Sequence, residues 1–75
     1  MERDSSSLIE PLTDRELEVL SLFEQRLTNK EIAQRLTISP GTVKRHAENI
    51  YRKLDVQRRA EAVSRARELG ITHDR

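Results

Sequence analysis

Only two residues, Thr37 and Ile38, lie between an apolar-periodic segment that ends at Leu36 and a new helix start at Ser39-Pro40. That is too little chain for a loop, so two helices must meet there at a sharp corner. Ser39 is placed to cap the second of them, and Pro40 suits a first helical position because its fixed φ and missing N–H cost nothing there. At about 100° per residue, Val43, Ala47, Ile50 and Leu54 form one stripe, the pattern of a helix that buries one side. Opposite it lie Arg45, Glu48, Asn49 and Arg52, flanked by Lys44 and Thr42. An apolar back and a long-armed polar front suit a helix pressed on a core while its other side meets something polar. Any solvated surface helix also presents a charged outer face, so this face alone leaves both readings open.

The segments on either side are helical as well. Thr13-Asp14-Arg15-Glu16 and Thr28-Asn29-Lys30-Glu31 both have capping-box spacing, in which hydroxyl and carboxylate satisfy free backbone donors reciprocally. The first predicts a helix over 14–26, with Val19, Leu20, Phe23 and Leu27 on one broad side and Leu17 and Leu22 at its edges. The second predicts a helix ending at Leu36 that turns Ile32, Ala33 and Leu36 inward, with Ile38 plugging the corner. After a break at Asp55-Val56-Gln57, a fourth helix is expected over 58–69 and ends at Gly70, a residue suited to left-handed backbone. Its apolar residues are small, and one face must join the core. If the far side of the Ala62, Val63 and Ala66 region is exposed, it is flat enough for a second helix to approach, which makes these three a candidate dimer surface. That the alanines are simply good helix formers fits equally well. The expected fold is therefore all-α, four helices in a domain spanning 12–71. A polar linker precedes it at 1–11, from which Leu8 and Ile9 could lie on the core, and a tail follows at 72–75.

Seventy-five residues suffice for one domain, near the lower limit for folding without staples, and leave no room for a cavity of enzymatic size. There is no cysteine for a disulfide or a thiolate metal site. The two histidines, His46 and His73, are far apart, and no glycine-rich loop follows a strand pattern, so neither an enzyme nor a cofactor or metal is expected. No apolar run is long enough to cross a bilayer and the N-terminus has no signal-peptide pattern, so a cytoplasmic protein without membrane contact is expected. The net charge of +1 hides an asymmetry. Residues 1–39 carry five basic and eight acidic side chains, a balance of −3, whereas residues 40–67 carry eight and three, a balance of +5. A basic half of this kind suits a polyanion met by one side of a small domain.

Residues 12–71 resemble the LuxR-type helix-turn-helix domain, also found at the C-terminus of NarL/FixJ-type response regulators. The likeness is carried by Leu12-Thr13, Arg15-Glu16 and Glu18-Val19-Leu20, then by Asn29-Lys30-Glu31-Ile32-Ala33, Leu36 and Ile38-Ser39. It continues through Thr42-Val43-Lys44, His46, Asn49-Ile50, Lys53-Leu54 and Val56 to Arg59 and Ala62-Val63. Gly41 through His46 and Arg67 through Ile71 look most like the large ATP-binding members. The resemblance implies a sequence-specific DNA-binding domain of a bacterial transcriptional regulator. Its helices two and three form the helix-turn-helix, helix three enters the major groove, and helix four pairs two copies on an inverted-repeat site. Carried over position by position, Lys44, Arg45 and Glu48 face base edges, and Lys30, Thr42, His46 and Arg52 face backbone phosphates. It further implies double-stranded DNA and a second copy of the chain as partners, a regulatory domain on the N-terminal side, and RNA polymerase as a further contact. The isolated domain should be monomeric or weakly dimeric off DNA.

Three residues depart from the family pattern. Arg26 stands where glycine is usual, and left-handed backbone there costs about 1 kcal/mol. Arg58 replaces the usual Ser or Asn cap of helix four. Glu48 is an acid on the DNA face, able to accept from cytosine N4 or, the reading favoured by its spacing, to pair with Arg52 at i,i+4. Two other functions share the pattern: a helical protein-interaction module that kept the fold without reading DNA, and a sigma-factor-like promoter-binding domain.

Overall fold

The computed structural model describes residues 10–71. The residues before Glu10 and after Ile71, which include Leu8, Ile9 and His73, and with them most of the expected linker and the tail, lie outside the described residues. Four helices follow one another: α1 (Asp14–Glu24), α2 (Asn29–Leu36), α3 (Pro40–Leu54) and α4 (Arg59–Glu68).

Cap chemistry sets three of the four starts. The Thr13 hydroxyl accepts from the Glu16 N–H at 3.1 Å while the Glu16 carboxylate accepts from the Thr13 N–H at 3.0 Å. Thr28 and Glu31 repeat the exchange at 3.1 and 2.8 Å, and the Ser39 hydroxyl accepts from the Thr42 N–H at 3.1 Å. Each such bond satisfies a donor that a helix start otherwise leaves free. At α4 the cap residue Arg58 makes no side-chain cap bond, and the Glu61 carboxylate instead accepts from the Gln57 N–H at 2.8 Å.

All four helices end alike. Arg26, Thr37, Asp55 and Gly70 have φ of 64°, 60°, 58° and 69°, the left-handed region. Each donates its N–H to the carbonyl three residues back. The residue after it donates five back: Leu27 to Leu22, Ile38 to Ala33, Val56 to Tyr51 and Ile71 to Ala66, at 2.9–3.3 Å. This is the Schellman pattern, and Leu27, Ile38, Val56 and Ile71 all pack against the core. The helix exit is thus written as one left-handed residue and then one apolar residue. It also explains why α1 stops at Glu24, short of the expected 26: Arg26 has already left the helix.

α3 is the central element and packs on α1, α2 and α4. Its stripe of Val43, Ala47, Ile50 and Leu54 is buried against Val19, Leu20, Leu22 and Phe23 of α1 and Ile32 and Ala33 of α2. Ile38 is half-buried against this core, as its place in the corner leads one to expect. The fourth helix corrects a sequence expectation. Ala62 and Ala66 are 0% exposed inside the core of a single chain, so they cannot form a dimer surface, and Val63 is half-buried beside them. The side of α4 turned to the core is carried by these two alanines, which pack in the core cluster with α1 and α3. What α4 leaves exposed is Ala60, Glu61, Ser64, Arg67 and Glu68.

Candidate nucleic-acid interface

Because the apolar stripe fixes which side of α3 is inside, the opposite side is fixed too. Lys44, Arg45, Glu48 and Arg52 are exposed there, and Thr42, His46 and Asn49 are half-buried along the flanks. Lys30 is exposed near the start of α2. The structure therefore gathers Lys44, Arg45 and Glu48 within two turns of one helix face. The Thr42 hydroxyl is engaged in the α3 cap, 2.9 Å from the Ser39 hydroxyl, so it has one direction fewer to offer a ligand.

Most of the basic excess in residues 40–67 has internal partners. Lys53 is held between α3 and α1: its Nζ lies 2.8 Å from Glu16 Oε1 and 3.3 Å from the Pro11 carbonyl. Arg59 donates to the Leu27 carbonyl, reaches Asn29 Oδ1 at 3.0 Å and places its guanidinium 4.3 Å from the centre of the Phe23 ring. Arg67 meets Glu24 at 3.2 Å, and Arg65 meets Glu68 at 3.7 Å. Arg52 lies 3.2 Å from Glu10. This last contact corrects the favoured reading of Glu48, because the guanidinium expected to hold Glu48 is turned to another carboxylate. Among the described residues Lys44, Arg45 and Glu48 form no ion pair.

Glu16 is the one buried charge of the described residues, 4% exposed. Burial pushes its carboxyl pKa up. The hydrogen bond from Lys53, the Thr13 N–H and the charges of Lys53 and His46 outweigh that and hold it below the ordinary value of 4.5. Glu16 thus caps α1 and anchors α3 with the same oxygen, which fixes the pitch of the polar face. Sequence reasoning counted Lys53 in the basic half and in the family pattern but gave it no partner. The available signal was positional: Glu16 sits three and four residues before Val19 and Leu20, and Lys53 three after Ile50, so opposite charges adjoin two apolar stripes. Arg59 was missed for another reason, since its partners are some thirty positions away in the chain.

Among the described residues no three His, Cys, Asp or Glu side chains gather to hold a metal, and no helix is long and apolar enough to cross a membrane. The arrangement offers hydrogen-bond donors on an exposed helix face.

Known proteins share this arrangement. The family described as bacterial regulatory proteins, luxR family, matches residues 10–66. The transcriptional regulatory protein DesR of Bacillus subtilis is 48% identical over 67 residues, which are 89% of this chain and 34% of that protein. The HTH-type regulator MalT of Vibrio cholerae is 42% identical over 79% of this chain but only 6% of its own length. The chain thus spans about a third of DesR and a small fraction of MalT, and its likeness to very large regulators is shared with shorter ones. Among solved structures, the transcription factor GerE superposes with a TM-score of 0.78 at 35% identity, covering 83% of this chain and 92% of GerE. The response regulator ChrA of a heme-sensing two-component system reaches 0.79 at 39% identity, over 88% of this chain and 34% of ChrA. The family match spans α1, α2, α3 and most of α4, and the chain belongs to the luxR family of bacterial regulatory proteins, as a transcriptional regulator's DNA-binding domain.

Proposed function

We propose that α3 lies in the major groove and reads sequence through Lys44, Arg45 and Glu48. Lys44 and Arg45 are donors suited to guanine O6 and N7, and Glu48 is an acceptor suited to the cytosine N4 amino group. Lys30 on α2, Thr42 and His46 on the flanks of α3, and Arg52 toward its C-terminal end hold backbone phosphates, which set register without reading bases. The observation that carries this reading is the exposed trio on α3 with no ion-pair partner among the described residues, in a domain whose other basic side chains are mostly tied down. An acid at the centre of a face that meets a polyanion lowers affinity, so its use is discrimination between sequences.

Two copies pair through α4 on an inverted repeat. After the loss of Ala62 and Ala66 to the core, the exposed Ala60, Ser64 and Arg67 are what a second copy would meet. The lengths of DesR and MalT support a domain that works as the output part of a larger cytoplasmic regulator. A regulatory domain on its N-terminal side and RNA polymerase are the further partners of that reading. The test is the double variant Lys44→Ala/Arg45→Ala, assayed against a selected binding site and against mixed-sequence duplex. Loss of a good base contact costs about 1–3 kcal/mol of discrimination per side chain, so the preference for the selected site collapses while the fold persists. A double variant that keeps its site preference and loses a protein partner instead makes the domain an interaction module.

A further inference from the structure

The chain enters the domain alongside the last turns of α3. Two consecutive residues of the entering segment meet two consecutive residues of that helix: the Glu10 carboxylate lies 3.2 Å from Arg52 Nη1, and the Pro11 carbonyl accepts from Lys53 Nζ at 3.3 Å. The second contact is anchored, because Lys53 is itself locked to Glu16 at 2.8 Å with both side chains largely buried. The first contact is exposed, at about 60% for both side chains, and is open to exchange. Glu10 is thus delivered by a fixed neighbour to a guanidinium toward the C-terminal end of the exposed face of α3.

We propose that Glu10 is a competitor for DNA built into the chain, its carboxylate occupying the Arg52 guanidinium in place of a phosphate until DNA displaces it. The inference rests on the reading of Arg52 as a phosphate contact. A carboxylate and a phosphate oxygen are both charge-assisted acceptors for the same fork of donors, and Arg52 cannot serve the two at full strength. An exposed pair of this kind is weak enough to be displaced, so Glu10 lowers affinity without abolishing binding. The anchored Pro11 keeps the local concentration of the carboxylate high, which a free acid in solution would not match.

A double-mutant cycle tests this on the whole chain. Wild type, Glu10→Gln, Arg52→Gln and the double variant are titrated with a mixed-sequence duplex over a series of salt concentrations, with thermal melts confirming the fold of each. Glu10→Gln is expected to tighten binding about three-fold at low salt, the fold-change that corresponds to one exposed ion pair. In the Arg52→Gln background the gain falls to less than half of that, because the competitor has lost its target. An equal gain in both backgrounds overturns the proposal and leaves Glu10 as one negative charge among many, and no gain at all also overturns it. The underlying reading fails separately. Arg52→Gln alone should weaken binding and make the salt dependence shallower by about one released counterion; if it changes neither, Arg52 holds no phosphate.

Discussion

Among the described residues three non-glycine residues carry left-handed backbone, and they differ in how badly they tolerate it. Asp55 belongs to a residue type that visits this region with local hydrogen bonding, Arg26 has no such help, and β-branched Thr37 is the most crowded. Arg26→Gly is expected to raise stability by about 1 kcal/mol and Thr37→Gly by more, with Asp55→Gly the least. For a domain of this size each kcal/mol shows as a rise of about 4–8 °C in the melting midpoint. A midpoint that falls for Thr37→Gly would mean that the strain is absent. The Glu16–Lys53 pair is the other residue-scale commitment. Removing one partner leaves a buried charge alone, so Lys53→Met costs about 3 kcal/mol, whereas Glu16→Leu with Lys53→Met recovers much of the loss. Because the folded-state pKa of Glu16 lies below its ordinary value, the stability it contributes is fully present above about pH 4.5 and is lost as pH falls through the lower, folded-state value. Lys53→Met should remove most of that acid-sensitive part from a series of denaturant melts, and an unchanged pH profile would contradict the pairing.

Elements were legible to the extent that their signals are local. The starts of α1 and α2 are written in hydroxyl and carboxylate spacing within four residues and that of α3 in Ser39-Pro40, and these helices begin where those signals put them. Gly70 announced its end by its type. The ends at Arg26, Thr37 and Asp55 are carried instead by the apolar residue that follows, a weaker signal. The inward face of α4 was not legible, because alanine is at home both in a tight helix-helix contact and on a surface, and only the approach of α4 to α1 and α3 decides between them. The partner of Arg52 was hidden too, since Glu10 is 42 positions away while Glu48 is four. The same geometry separates two kinds of α4 variant. Ala62→Leu overpacks the core and costs about 1–3 kcal/mol of stability, whereas Ser64→Arg is exposed, keeps the melting midpoint and weakens pairing on a two-site duplex. Gel-shift titrations that show half-occupied DNA for Ser64→Arg, beside unchanged melts, would bear this out. Pairing insensitive to Ser64→Arg would move the contact off that face of α4.

At the scale of the whole molecule, the domain spends its basic charge in two ways. Lys53, Arg59 and Arg67 hold α1, α3, α4 and the α1–α2 turn together, and Arg65 is paired within α4. Lys44 and Arg45, like Arg26, Lys30, Arg35 and Arg58, are exposed and form no ion pair among the described residues, and on the proposed reading Lys44, Arg45 and Lys30 meet DNA. The net charge of +1 therefore understates how polar the outward face of α3 is, and the +5 of residues 40–67 overstates how much charge reaches a ligand. So small a domain offers few phosphate contacts alone, and the proposed pairing of two copies would double them without any new chemistry. The most direct measurement is selection of bound duplexes from a randomised pool at rising salt, followed by sequencing of the survivors. The account predicts an inverted repeat whose half-sites carry guanine and cytosine at positions facing α3, with affinity that falls steeply as salt rises. Salt-sensitive binding without any enriched sequence would contradict it, leaving a basic surface that holds DNA but does not read it.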